Sequence, residues 1–140
     1  MKSMKLKFNE LTLFFLLTAF LCGYIKNALI ILFIVVFHEL GHVLICKILG
    51  YDIICIEIFP FGGITKISKH LNDHIYRDFL IAIFGVVFQL LLFIPVIFGF
   101  ITNEVFIKYN LSIMLFNLLP IIPLDGSKIL FEVFSRFFFI

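Results

Sequence analysis

The chain has 140 residues, of which 63% are hydrophobic and only 14% are charged, with 21 Phe and no Trp. This balance, with a mean hydropathy of +1.20, excludes an ordinary soluble domain and predicts an integral membrane protein. The net charge is only +2, and Lys and Arg occur singly between apolar runs, so nucleic acid is not an expected partner. The lipid bilayer is the expected surroundings.

Four apolar runs approach or exceed the length that a helix needs to cross about 30 Å of hydrocarbon. The first, residues 11–25, has no small-x-small cleavage site after it, which favours a retained helix over a signal peptide. The second, residues 27–50, is interrupted by Glu39, Lys47 and two histidines. The third, residues 79–103, carries no charge, and the fourth begins near residue 109 and is broken by Pro120 and Pro123.

The basic residues are distributed unevenly along this pattern. Nine of the eleven Lys and Arg lie before the first run, between the second and third (counting Lys47 at the end of the second), or after the fourth. The positive-inside bias therefore predicts that both termini and the 51–78 connection lie in the cytoplasm. The predicted location is the cell membrane, with several passes.

The connection at residues 51–68 changes from helical to alternating periodicity, with Gly62 and Gly63 as an interruption, which predicts a β-hairpin. It is too apolar for an ordinary cytoplasmic loop, so membrane association is expected. The predicted fold class is therefore an all-α membrane protein with about four transmembrane helices, a broken fourth helix and a small membrane-associated β-hairpin. Residues 1–140 are predicted to form a single domain, with its core at about 28–134.

The second run contains the pattern His-Glu-x-x-His at positions 38 to 42. On a helix, His38 and His42 lie one turn apart on one face, as two ligands of a tetrahedral Zn²⁺ require. Glu39 lies beside them, where it can accept a proton from water activated by the metal. Polar side chains inside an apolar helix are costly unless they meet a metal, a cavity or one another. The alternative is a purely structural set of hydrogen-bonded polar residues between helices.

A catalytic zinc with two His ligands usually takes a carboxylate as the third ligand and leaves the fourth position open. Asp125 is the aspartate that adjoins the fourth apolar run, directly after the two prolines. It is therefore the predicted third ligand, with a helix N-cap as the alternative role. Asn117, about two turns earlier, is predicted to hydrogen-bond a substrate carbonyl, with an inter-helix hydrogen bond as its alternative.

These motifs resemble the site-2 protease family of intramembrane zinc metalloproteases. The family has His-Glu-x-x-His in one span and a later Asn-containing, proline-broken Leu-Asp-Gly segment, and both occur here in that order. The resemblance is strongest to the sporulation branch, which releases a sigma factor from its membrane-tethered precursor. It extends over residues 28–134 and includes the Phe59-Pro60-Phe61-Gly62-Gly63 segment.

The resemblance implies an endopeptidase that acts on a membrane-tethered protein, with a sporulation sigma-factor precursor as the expected substrate. It implies zinc on His38, His42 and Asp125, and Glu39 as the catalytic base. The residues expected to bind substrate are Asn117, Phe61, Gly62 and Gly63. A homo-oligomer or a regulatory membrane partner is compatible with the sequence.

Two segments depart from the family pattern. The Gly-Pro pair that the family often has in the third span is here Gly85-Val86, and Gln89 is the only polar residue nearby. Gln89 either substitutes for the family's downstream Asn or bonds a neighbouring helix. The nucleotide-sensing domain of the sporulation branch is not expected, because the sequence ends at Ile140.

Two other functions use the same residues: a membrane metal transporter and a catalytically inactive membrane adaptor. Transport is disfavoured because no polar residues lead outward from His38 along residues 28–37. A second His pair, His70 and His74, lies in a polar connection and predicts a solvated surface helix.

Overall fold

The computed structural model describes residues 4–68, 75–122 and 124–138. The predicted surface helix with His70 and His74 lies outside the described residues. The described chain is mostly helical and contains one small sheet, in the order β1 (Lys5–Phe8), α1 (Glu10–Leu21), α2 (Ile25–Ile48), β2 (Ile53–Phe59), β3 (Gly62–Ile67), α3 (Ile75–Leu91), α4 (Ile94–Ile97), α5 (Glu104–Asn117) and α6 (Asp125–Phe138).

Helix α2 is the centre of the fold. It packs against α1, α3, α5 and both strands of the hairpin, and its residues Ile34, Val35 and Cys46 are fully buried. The helix ends at a glycine in the left-handed region, Gly50 with φ of 81°, which lets the Tyr51 N–H return to the Cys46 carbonyl. The His-Glu-x-x-His segment therefore lies in the best-packed element of the molecule.

The predicted hairpin is present, but its turn is displaced from the predicted position. Strands β2 and β3 pair in antiparallel register with Phe59 opposite Gly62, so Pro60 and Phe61 form the turn and the two glycines begin β3. The structure shows why glycine is needed inside the strand: a Cβ on Gly63 would lie 2.5 Å from the Glu39 Cδ. Gly63 thus allows close contact between β3 and α2.

A third strand, β1, was not predicted. It pairs with β2 in parallel, from Lys5 opposite Cys55 to Phe8 opposite Ile58, which gives the sheet order β1-β2-β3 with β3 at an edge. Strand β1 is only four residues long, and all four are exposed. Four exposed residues show no alternation of buried and exposed side chains that would predict a strand. The extended conformation of β1 depends instead on pairing with β2.

The lengths of the helices differ from one another. Two described helical segments are long and apolar enough to cross a bilayer: Ile25–Ile48, which is α2, and Tyr76–Ile97, which runs through α3 and α4. Helix α1 has 12 residues and α5 has 14, or about 18 and 21 Å at 1.5 Å per residue. The prediction of about four spans thus stays a prediction for α1 and for the α5–α6 pair.

The predicted break in the fourth apolar run is present. Helix α5 begins at Glu104, earlier than predicted, because the Asn103 Oδ1 caps it by accepting from the Val105 N–H at 2.9 Å. It ends at Asn117, and α6 begins at Asp125. The break lets the chain turn, so that Asp125 reaches the middle of α2.

Candidate metal centre and active site

Three side chains that could bind a metal converge between α2 and α6. The ligand atoms of His38, His42 and Asp125 all lie within 4.8 Å of one another, and all three residues are buried. The Asp125 Oδ2 lies 2.9 Å from the His38 Nε2 and 3.1 Å from the His42 Nε2, and the two Nε2 atoms are 3.1 Å apart. Residues separated by 87 positions in the chain therefore meet at one point.

Helix α3 orients both imidazoles from the opposite side. The His42 Nδ1 lies 2.7 Å from the Ile81 backbone oxygen, an acceptor only, so Nδ1 carries the proton and donates. The His38 Nδ1 lies 2.9 Å from the Gln89 Oε1, also an acceptor, and donates in the same way. Both Nε2 atoms consequently present lone pairs toward Asp125.

This arrangement fits a zinc ion. Three lone-pair donors face one another with no proton assigned between them, which is unfavourable unless a cation lies among them. Tetrahedral zinc with ligand distances of about 2.0–2.1 Å separates its ligand atoms by about 3.4 Å, close to the observed 2.9–3.1 Å. Two His and one carboxylate also leave one ligand position open, as catalytic zinc sites do.

The imidazoles can occupy this position because α3 has a glycine opposite them. A Cβ on Gly85 would lie 2.6 Å from the His42 Nε2 and 2.7 Å from the His38 Nε2. Real Cβ atoms do not approach other atoms so closely, so any side chain at this position would displace the ligands. The Gly of the Gly-Val pair therefore makes room for the site, although the following proline of the family pattern is absent.

Glu39 lies beside the three ligands and outside the cluster that they form. The Thr65 hydroxyl of β3 donates a hydrogen bond of 3.0 Å to the Glu39 Oε2. Glu39 is only 3% exposed, yet it lines two cavities. A carboxylate held in this way can accept a proton from a water that lies in either cavity.

Two cavities meet at Glu39 and Asp125. The larger, of about 630 Å³, opens between α3, α6 and β3 and is lined by Thr65 and Lys128 among others. The smaller, of about 290 Å³, lies on the side of the hairpin turn. All four predicted substrate-binding residues line the smaller cavity: Phe61, Gly62, Gly63 and Asn117.

Asn117 is 5% exposed, and its Nδ2 has no hydrogen-bond partner among the described residues. The predicted alternative was an inter-helix hydrogen bond of Asn117, and the amide nitrogen makes none within the described part of the chain. A buried donor that lines a cavity is suited to a carbonyl oxygen that enters it.

Sequence reasoning missed Thr65 and did not assign the roles of Gly85 and Lys128. The Lys128 Nζ lies 4.0 Å from the Asp125 Oδ1, at the rim of the larger cavity. Thr65 gave no signal, because a threonine in a strand is common. Gln89 did give a signal in the sequence, because it is the only polar side chain near the middle of the most apolar run.

No family model matches this chain, but curated relatives do. It is 38% identical over 124 residues to the stage IV sporulation protein FB of Bacillus subtilis, an alignment that covers 83% of this chain and 43% of that protein. It is 35% identical over 114 residues to a zinc metalloprotease of Synechocystis, which covers 74% of this chain and 30% of that protein. The chain thus spans less than half the length of these relatives.

A third relative connects the sequence comparison with the fold comparison. A zinc metalloprotease of Methanocaldococcus jannaschii is 34% identical over 118 residues, covering 76% of this chain and 34% of that protein. Among solved structures, the site-2 protease from the same organism matches with a TM-score of 0.78 and 21% identity, over 99% of this chain and 70% of that one. The fold is therefore that of the solved protease.

Proposed function

Since this chain belongs to the site-2 protease family, we propose that it is a zinc endopeptidase that cleaves a membrane-tethered protein in or near its transmembrane segment. The observation that carries the proposal is the convergence of the His38 and His42 Nε2 atoms on the Asp125 Oδ2, with Glu39 beside them. A structural cluster would not need both imidazoles to turn their lone pairs toward a carboxylate.

We assign His38, His42 and Asp125 as the zinc ligands. Zinc, when bound there, would supply the Lewis acidity that activates water and polarises the scissile carbonyl. Glu39 would accept the proton of the attacking water and then deliver it to the leaving amine. The Thr65 hydrogen bond would keep the Glu39 carboxylate in the orientation that this proton transfer requires.

The substrate must lose its helical structure locally, because a helix hides the carbonyl groups of its backbone. Strand β3 is an edge strand, so an extended substrate could pair with it by β-augmentation. The smaller cavity would then receive the substrate beside Phe61, Gly62 and Gly63. The Asn117 amide would donate to a substrate carbonyl there, which would satisfy its buried Nδ2.

The proposed substrate is a sporulation sigma-factor precursor. The proposal for this substrate is supported by the 38% identity to the stage IV sporulation protein. We place His38, the fourteenth residue of a helix of 24, in the cytoplasmic half of the bilayer, so the product would be released to the cytoplasm. The core of the single domain, at about residues 28–134, would contain the whole catalytic set.

Replacement of Glu39 by Gln tests this function. The variant keeps the shape of the side chain but loses the proton acceptor, so it should bind zinc and substrate as the original protein does. General-base catalysis contributes about 10² to 10⁴ in rate, so cleavage of a coexpressed, membrane-tethered sigma-factor precursor should fall below detection. Zinc content, substrate pull-down and product formation are measured on the same preparation.

The matched control is Glu104→Gln, the same change at an exposed position at the start of α5, which should cleave normally. A metal transporter or an adaptor has no need of a proton acceptor at position 39. Cleavage by zinc-loaded Glu39→Gln at the unaltered rate would therefore refute the protease mechanism.

A further inference from the structure

Gln89 and Asn110 form a fully buried polar pair between α3 and α5. Both are 0% exposed, and Gln89 lies in the more apolar of the two described helical segments that are long enough to cross a bilayer. Polar groups in such surroundings are costly unless their hydrogen bonds are satisfied. The role of the Gln89 side chain can therefore be inferred from its hydrogen-bond partners.

The backbone of α5 determines which way the Gln89 amide points. Its Nε2 donates a hydrogen bond of 2.8 Å to the backbone oxygen of Asn110. The reversed amide would place Oε1 against that oxygen, an unfavourable contact between two acceptors. The Gln89 Oε1 must consequently face the His38 Nδ1, at the observed 2.9 Å.

We propose that Gln89 is a positioning residue for the metal site: it holds the proton of His38 on Nδ1 and thereby keeps Nε2 free for zinc. The proposal rests on the zinc ligands assigned above. For His42, the Nδ1 proton is held by a hydrogen bond to the backbone carbonyl of Ile81, which no side-chain substitution removes. His38 instead depends on a side chain, so its orientation can be tested by mutation.

The same pair of residues provides the control. The Asn110 Nδ2 donates back to the Gln89 backbone oxygen at 3.5 Å, so Asn110→Leu removes a contact between α3 and α5. It leaves the Asn110 backbone carbonyl in place, and with it the orientation of the Gln89 amide. This variant thus reports the structural part of the pair without the effect on His38.

The experiment measures the zinc dissociation constant of the detergent-solubilised full chain by competition with a chromophoric chelator, together with the unfolding temperature. Gln89→Met, which keeps the length of the side chain but lacks the amide, should weaken zinc binding by about 10- to 100-fold, the usual effect of losing an outer-shell partner. Asn110→Leu should bind zinc within about threefold of the original protein, a margin well below that effect.

A second readout is the visible spectrum of the cobalt-substituted protein, which reports ligand geometry independently of activity. It should change in Gln89→Met and not in Asn110→Leu. Original affinity in Gln89→Met, or equal losses in Gln89→Met and Asn110→Leu, would overturn the inference. Loss of zinc from the original protein would instead refute the ligand assignment itself, so the two failures are distinguishable.

Discussion

At the scale of single residues, the site consists of polar groups that an apolar helix would ordinarily exclude. His38, Glu39, His42, Gln89 and Asp125 are each no more than 7% exposed. Each has at least one hydrogen-bond or ion-pair partner outside the ligand cluster within the described chain. These contacts offset the cost of burying the polar groups. The three lone pairs that face one another, on His38, His42 and Asp125, still lack a partner, and a bound cation would supply it.

Asp125 decides whether this trio binds metal. We expect the purified original protein to hold about one zinc per chain, and Asp125→Ala to weaken zinc binding by more than about a hundredfold, since even outer-shell groups contribute roughly 10- to 100-fold. Elemental analysis and chelator competition measure both quantities. Unchanged retention in Asp125→Ala would contradict the ligand assignment.

Asp125 is also the first residue of α6, so its loss could affect the helix as well as the metal. Asp125→Asn separates the two effects, because Asn favours helix starts as well as Asp does but lacks the charge. We expect Asp125→Asn to match the original protein in unfolding temperature without zinc, and to resemble Asp125→Ala in zinc binding.

At the scale of elements, two helices and one strand each position a different part of the candidate site. Helix α2 carries both His ligands and Glu39, α3 holds the outer nitrogens of the imidazoles, and β3 covers the carboxylate of Glu39. These elements meet at Gly85 and Gly63. The catalytic groups lie so close to these two positions that a side chain at either would not fit. Small residues at the contact allow the polar atoms to meet at hydrogen-bond distance.

Gly63→Ala tests the contact between β3 and α2. The added Cβ would lie 2.5 Å from the Glu39 Cδ and 2.8 Å from its Oε1, so the carboxylate must move. We expect zinc binding to persist, because the three atoms nearest to the added Cβ all belong to Glu39, and cleavage to fall by at least about 10²-fold, as for a displaced general base.

The adjacent glycine provides the control for this experiment. A Cβ on Gly62 would meet the Asn117 Oδ1 at 3.4 Å, an ordinary van der Waals distance, and would leave the Glu39 carboxylate in place. Gly62→Ala should therefore keep the rate at saturating substrate, and any loss should be confined to substrate binding. Equal activity in the two variants would show that the Glu39 carboxylate does not need the close contact with β3.

At the scale of the whole molecule, the sheet constrains the topology. Because β1 pairs with β2, the N-terminal segment and the hairpin lie on the same side of the molecule, as the distribution of basic residues predicts. Helix α1 contacts the sheet in its first turn, where the Thr12 hydroxyl donates to the Ile58 backbone oxygen at 2.7 Å, and the turn that includes Gly23 follows its other end. The two ends of α1 are therefore expected on opposite sides of the bilayer.

Reporter fusions test this orientation. A cytoplasmic reporter should be active when fused after Ile140, since nine of eleven basic residues lie on the predicted inner side. The same reporter inserted at Gly23 should be inactive there, and a periplasmic or extracellular reporter should show the reverse pattern. A fusion after Ile140 that is active only outside the cell would refute the topology.

The sequence by itself determined the membrane class, the hairpin, the break in the fourth apolar run and the residues of the candidate centre. These features depend on local properties: hydropathy over about 20 residues, a two-residue alternation, prolines and the i, i+4 spacing of two histidines. The resemblance to the family, confirmed by the comparisons, linked Asp125 to the histidines.

Only the tertiary structure decided which distant groups serve those residues. Gln89 lies 51 positions from His38, and Thr65 lies 26 positions from Glu39. Strand β1 likewise takes its conformation from a partner about 50 residues later. No local period encodes such pairings, because they depend on which helix faces pack together and on where a glycine leaves space between them.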